Sequence, residues 1–263
     1  MAKMQEGTIF ERLHFLVFKK QDAFWRKCFG AQRVMREKMV SSCARKLSGV
    51  CSKRKMLIFS VVAFLLLTVL LPVFSSYAAS EILGPAAVIR NFNAALLEAM
   101  KKANQLGYAG RYKLLDPVIK NSFALSFMAG QSLGRYGKTL KPEERELLIR
   151  GYTDWTVATY AGRFDGYSGE KFEVASESGP LQGTYTVTSK LIKQNGEEVV
   201  FRYLLRKIEG MWRVIDIQIS GVSQLALTRA QFTGVIKDKG FNGLISMLKE
   251  KIKGLEKSGE KKE

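Results

Sequence analysis

Residues able to do chemistry are scarce in the larger part of this chain. Asp216 sits between Ile215 and Ile217 in a strand-like stretch, and an acid enclosed by apolar neighbours can serve as a general base. Asp165, Glu170 and Glu173 fall close together, and Tyr152, Tyr160, Tyr185 and Tyr203 offer hydroxyls. Each has a plainer reading. A strand-face acid pairs with a cation such as Arg213 or Lys207, the acidic trio makes a solvated loop, and tyrosines rim an apolar core. The only histidine, His14, and all three cysteines, Cys28, Cys43 and Cys51, precede residue 78. The chain beyond Ala78 therefore lacks thiol nucleophiles, disulfides, Ser-His-Asp or Cys-His systems and nearly all means of holding zinc. It has no phosphate loop and no metal-ligand cluster. No catalytic residue, metal or cofactor is expected.

The dividing line is itself a motif. Lys53-Arg54-Lys55 precedes an uncharged apolar run, Met56–Leu71, then Pro72 and the small residues of Ser76-Tyr77-Ala78. That order fits a secretory signal, residues 53–78, cut after Ala78. Met56–Phe74 also approaches the roughly 20 apolar residues that span a bilayer, so an uncleaved inner-membrane anchor fits too, its basic flank held in the cytoplasm. Either way the rest lies on the far side of a membrane. Residues 1–52 form a basic extension with scattered aromatics. A start at Met39 would leave a conventional leader. The whole chain carries +18. The 185 residues after Ala78 hold 28 basic and 20 acidic side chains, a net +8. That moderate charge suits anionic membrane surfaces or acidic partners; without a basic stripe interleaved with aromatics, nucleic acid is not an expected partner.

These residues need elements to carry them. Residues 79–257 read as one domain and Ser258–Glu263 as a disordered tail. Ser80–Leu106 has helical spacing of Val88, Phe92, Ala95, Leu96 and Ala99, with Ser80 as cap and Gly107 and Gly110 as its end. Shorter helices come next over Arg111–Asn121, with Pro117 as a kink or break, and Phe123–Leu133. Pro142-Glu143-Glu144 opens a long aromatic helix to about Phe164, apolar enough to pack on a sheet. The period then becomes two. Strands are expected over Lys171–Ser178, Gln182–Gln194, Glu197–Ile208 and Met211–Ser220, with hairpins at Asn195-Gly196 and Glu209-Gly210. Val199, Phe201, Tyr203 and Leu205 share a face. Helices Gln224–Lys239 and Asn242–Lys257 close the chain around Gly240. Helices, a meander, then helices is an α+β layout: a four-stranded antiparallel meander wrapped by helices, a cone with a helical subdomain. Composition favours a filled core behind these apolar faces; a lipid cavity draws on the same residue types, and periodicity does not separate the two.

Three stretches resemble the MlaC, or toluene-tolerance, family of periplasmic lipid carriers. They are Leu133-Gly134-Arg135-Tyr136 with Lys141-Pro142-Glu143-Glu144-Arg145; Trp212-Arg213-Val214-Ile215-Asp216 running into Gly221-Val222-Ser223; and Arg229-x-x-Phe232 followed by Lys239-Gly240-Phe241-Asn242-Gly243-Leu244-Ile245 and Leu248-Lys249. Thr159–Phe172 and Ser223-Gln224-Leu225-Ala226 look closest to the hopanoid-associated HpnM branch. The resemblance implies a nuclear-transport-factor-like cone whose bound lipid is cargo. That cargo is a phospholipid or a hopanoid, with acyl chains between sheet and helices. The carrier would be a monomer exchanging lipid between an inner-membrane and an outer-membrane complex of a Gram-negative cell, without chemistry. Face arguments within that fold nominate Tyr136, Tyr152, Tyr160, Phe164, Val187, Phe201, Tyr203, Ile217, Val222 and Leu248 for the cavity. Two other readings are a small-molecule enzyme of the same fold using Asp216, and a membrane-anchored adaptor that binds proteins.

Overall fold

The computed structural model describes residues 84–260. The expected basic extension and signal or anchor lie outside the described residues. Among the described residues no helix is long and apolar enough to cross a membrane.

Among the described residues, five helices and one sheet make up the domain. Helix α1, Pro85–Lys101, begins directly after Gly84, with Pro85 where a missing N–H costs nothing. It buries Ile89, Phe92, Leu96 and Ala99, the spacing of one helical face. The expected continuation to Leu106 is interrupted. Lys102 leaves helical geometry, and α2, Ala103–Ser122, starts at once and breaks at Gly107 (φ 58°). Gly110, expected as a terminator, and Pro117 both sit inside α2. Helix α3, Leu125–Ser132, is shorter than expected, because Phe123 is extended (φ −113°, ψ 144°) and bridges Val214. Ala124 N–H donates to the Val214 carbonyl at 2.9 Å. After a 3₁₀ turn over Gly134–Lys138 comes α4, Pro142–Arg163. Its first turn is closed by Lys141 N–H donating to the Glu144 carboxylate at 2.9 Å.

The sheet has five strands, not four: β1 Lys171–Leu181, β2 Thr184–Ile192, β3 Glu198–Ile208, β4 Met211–Ile219 and the two-residue β5 Val222–Ser223. They pair antiparallel in chain order. Tight two-residue turns join β1–β2, β3–β4 and β4–β5. Each places a non-glycine and then a glycine at positive φ: Gln182-Gly183, Glu209-Gly210 and Ser220-Gly221. Two successive positive φ values match the right-handed strand twist. Asn195-Gly196 lies in the wider Lys193–Glu197 loop, where Asn195 Oδ1 accepts from Glu197 N–H at 3.0 Å.

The alternation of β2 and β3 works as expected: Val187, Ser189 and Leu191, and Val199, Phe201, Tyr203 and Leu205, all point inward and are buried. In β4 a bulge between the Asp216 and Val214 pairings inserts Ile215, so Val214, Ile217 and Ile219 share the inner face. Helix α1 lies across this face. Asn93 Nδ2 donates to Ser189 Oγ at 2.8 Å there, and Phe92 meets Phe123, Tyr160 and Tyr203 edge-on at 5.1, 5.3 and 6.2 Å between ring centroids.

Helix α5, Gln224–Glu260, is two arms joined at Gly240 (φ 66°). It includes Ser258–Glu260, expected as tail. Its second arm packs along α4. An added Cβ on Gly151 would lie 3.3 Å from Leu248, and one on Gly162 would lie 3.2 Å from Leu255. Helix α4 packs chiefly on α5, α2 and α3. Its aromatic face does not lie flat on the sheet, as its apolarity suggested.

Candidate functional site

The space between α4 and β4 is a cavity of about 250 Å³. Helix α4 contributes one stripe to its wall: Tyr152, Trp155, Thr156, Thr159, Tyr160 and Arg163, spaced three and four apart, with Phe164 beyond. The sheet contributes Ile217 and Ile219, and the α2–α3 segment contributes Phe123 and Met128. The first arm of α5 supplies Gln224, Leu225 and Thr228, and the second supplies Lys251, Gly254 and Leu255. No aspartate or glutamate lines it.

Its polarity is muted locally. Thr156 and Thr159 donate to the carbonyls of Tyr152 and Trp155, both at 2.7 Å, and Thr228 donates to that of Gln224 at 2.8 Å. These hydroxyls bond the turn before them, leaving methyls and lone pairs for the cavity. Rings fill much of the wall: Tyr152 meets Trp155 at 5.7 Å, both backed by the core ring of Phe232 at 6.2 and 5.7 Å, and Tyr160 stacks on Phe164 at 5.7 Å. Enclosure by protein raises the phenols of Tyr152 and Tyr160 above their ordinary value; the Asp216 charge adds to the rise at Tyr152, while Arg163 opposes it at Tyr160. Both stay neutral hydroxyls at any physiological pH. The arrangement offers apolar area and neutral hydroxyls, and two cations.

Of the nominated residues, Tyr152, Tyr160, Phe164 and Ile217 line the cavity. Val187, Phe201, Tyr203 and Leu248 are buried in the core beside it. Tyr203 stacks on Phe201 at 6.1 Å, and burial pushes its phenol well up. Tyr136 is half-buried in the 3₁₀ turn and packs on the core from outside the cavity. Val222 is 49% exposed on β5, away from the lining. Trp155, Phe123, Leu225, Arg163 and Lys251 are wall residues that the face arguments missed. The three-and-four stripe through Tyr152 and Tyr160 would have found Trp155 and Arg163.

Asp216 has a structural task. Its Oδ1 accepts from the N–H of Ile217 at 2.8 Å and of Leu225 at 3.1 Å, and its Oδ2 from Ser223 Oγ at 2.6 Å. Ser223 Oγ in turn accepts from Ala226 N–H at 3.0 Å. The carboxylate thus fixes β5 and the first turn of α5, which presents Gln224, Leu225 and Thr228 to the cavity. The expected pairing with Arg213 is absent: that guanidinium donates to the carbonyls of Lys120 and Asn121 at 2.8 and 3.0 Å. Glu170 also turns inward on its loop, accepting from Ser168 N–H at 2.6 Å. Among the described residues no group of acids, histidines or cysteines is placed to hold a metal ion.

A family profile described as "MlaC protein" matches residues 90–250. The intermembrane phospholipid transport system binding protein MlaC of Haemophilus influenzae is 24% identical over 157 residues, spanning 57% of this chain and 73% of that protein. A phospholipid-binding protein from Ralstonia solanacearum, solved in complex with a phospholipid, superposes with a TM-score of 0.57 at 23% identity, over 64% of this chain and 97% of that one. That likeness is one of fold.

Proposed function

The chain belongs to the MlaC family, and from that premise we propose that it is a lipid carrier that takes up a phospholipid by burying its acyl part between α4, α5 and the sheet. The observation that carries this reading is the cavity: about 250 Å³, aromatic and aliphatic, free of acids in its lining. Moving an acyl chain through water costs ~0.8 kcal/mol per methylene, so a carrier must cover it. A pocket that rewards apolar area tolerates variation in chain length. Tyr152, Tyr160, Phe164 and Ile217 touch the chains in this reading, and Val187, Phe201, Tyr203 and Leu248 back them.

The cavity is smaller than the ~300–1,000 Å³ usual for ligand pockets. Two acyl chains therefore require its walls to part. Helix α4 rests mainly on other helices, so α4 and β4 can separate without stripping the sheet of α1. The carrier works in the periplasm, on this reading, between an inner-membrane and an outer-membrane complex, and its function is transport without covalent chemistry. The family relationship and the scarcity of catalytic side chains after Ala78 support both points.

The test is native mass spectrometry of the purified protein with lipid extraction. About one phospholipid per chain is expected. A chain that emerges lipid-free and takes up none from vesicles would refute the carrier.

A further inference from the structure

Two hairpins of the sheet turn at the same end, β1–β2 at Gln182-Gly183 and β3–β4 at Glu209-Gly210. Their tips stand two strand spacings apart, about 10 Å. Each carries a large apolar side chain turned to solvent: Leu181 is 79% exposed and Met211 48%. Behind them stand two half-buried aromatics, Tyr185 and Trp212, edge-on at 4.7 Å. Residues 181–185 and 206–213 hold three cations, Arg206, Lys207 and Arg213, against one acid, Glu209. Arg206 and Arg213 are direct partners in the β3–β4 register, a placement in which like charges repel. Their contacts are neutral: Arg206 donates to Thr184 Oγ1 at 2.9 Å, and Arg213 to the carbonyls of Lys120 and Asn121 at 2.8 and 3.0 Å. Lys207 Nζ lies 5.7 Å from the centroid of the Trp212 ring. These contacts hold the cations without neutralising them. The opposite end of the sheet is built differently. There the turn closes on ion pairs, Lys193 with Glu197 at 3.0 Å and Lys190 with Glu198 at 2.8 Å.

We infer that the β1–β2 and β3–β4 tips form a docking surface for an anionic bilayer, with Leu181 and Met211 entering the interface and Arg206 and Lys207 meeting its phosphates. Apolar tips backed by cations suit a membrane surface, because the first gain from the acyl boundary and the second from the anionic headgroups. Trp and Tyr favour the headgroup level in between, where Tyr185 and Trp212 would come to rest. The two apolar side chains sit on separate turns, not in one patch. A fluid surface closes around each, whereas a protein face would need two matching pits. A cleft of about 360 Å³, lined by Ile208, Glu209 and Arg213 of this end, reaches Phe123, which also walls the cargo cavity. Docking by the tips therefore sets that wall, and not the ion-paired turn, on the bilayer's side. The inference is independent of what the cavity holds.

The test is hydrogen–deuterium exchange by mass spectrometry on the full chain, beside vesicles of phosphatidylcholine or of an equal mixture with phosphatidylglycerol. Any hold that Met56–Leu71 has on a bilayer acts on both vesicles alike, so the comparison isolates the tips. Amides of the two turns should exchange several-fold more slowly beside the mixed vesicles than beside the neutral ones. R206Q/K207Q should lower the ratio of docked to free tips about fivefold per cation, each contributing ~1 kcal/mol near an anionic surface. L181S/M211S keeps the charges and should lower it about tenfold or more. Salt at about 1 M, where the Debye length is about 3 Å, should weaken docking without any substitution. Tips untouched by either vesicle overturn the inference and leave this end to a protein partner. Tips slowed equally by both vesicles and indifferent to R206Q/K207Q overturn it as well. Slowing that appears without lipid as the chain is concentrated assigns the tips to a second copy and does the same. Protection confined to α4 and α5 reports cargo alone: the carrier stands and the docking surface falls. Slowing at the tips of a chain that carries and takes up no lipid keeps the docking surface and removes the carrier.

Discussion

Replacing Asp216 separates its structural role from a catalytic one. In Asp216→Ala, the N–H groups of Ile217 and Leu225 and the hydroxyl of Ser223 all lose their acceptor. Hydrogen bonds to a charged group contribute ~1.5–3 kcal/mol each when buried. Asp216 is half-buried, so water recovers part of each, and a total near 3 kcal/mol follows from the low end of that range. At ~2–4 °C per kcal/mol for a domain of this size, the melting temperature should fall by about 6–12 °C. Asp216→Asn keeps an oxygen for the two N–H groups. It loses only the charge and the shortest contact, so it should cost about 1 kcal/mol, or about 2–4 °C. Thermal melts measure both. Lipid occupancy by native mass spectrometry should follow the fraction folded. The reasoning fails if Asp216→Asn melts like the unmodified chain yet loses all lipid transfer, or abolishes turnover of some substrate. Either result would make the carboxylate a functional group and revive the enzyme.

Three further outcomes are expected. Phe92→Ala removes a fully buried ring that touches three others, and should cost ~3–5 kcal/mol in denaturant unfolding. Thr159→Trp puts an indole into the cavity from a half-buried wall position; the chain should fold cooperatively and emerge without lipid, and a normal lipid load would show that the cargo lies elsewhere. Raised phenols at Tyr152, Tyr160, Tyr203 and Tyr108, the last to about 12, set an alkaline limit. Above the ordinary phenol value near 10 the unfolded chain sheds these protons and the folded one does not. Stability should therefore hold up to about pH 10 and decline as pH rises further toward the folded values; phenolate absorbance should appear together with loss of structure, and its appearance in an intact fold would contradict the burial.

Much of this architecture is legible in the residue pattern. Period-two alternation is a property of the strand itself, so Val199, Phe201, Tyr203 and Leu205 declare their common face without tertiary information. Proline followed by two acids marks the start of α4 for the same local reason. Other features are not local. A two-residue strand has no period, so β5 shows only in its pairing with Gln218 and Ile219. Phe123 looks helical among its neighbours, and its bridge to Val214 depends on a residue far along the chain. Lys102 breaks the first helical run where no glycine or proline marks it, ahead of the break at Gly107 that the sequence does signal. The cavity is the hardest case. Periodicity says which side of an element is turned from water, but not whether that side meets another side chain or a void. Tyr203 and Tyr160 read alike, yet the first is packed and the second is a wall. Arg163 ends α4 and Lys251 lies inside the second arm of α5; both escaped notice because a lone cation on a helix is normally just a solvated charge.

The short fifth strand also bears on self-association. A sheet's outer strands expose unpaired N–H and C=O groups, and a protein with an apolar opening has most to lose from pairing with its own copies. Here β4 is occupied near both ends. Val222 and Ser223 take Ile219 and Gln218, and Ala124 N–H takes the carbonyl of Val214. At the other margin, β1 changes register between Val174 and Ser176 and again between Ser178 and Leu181, so its rim is uneven. Among the described residues, these pairings and register shifts shorten the straight run of backbone that either margin presents to a neighbouring chain. An interrupted edge is a poorer template for a second copy than a straight one.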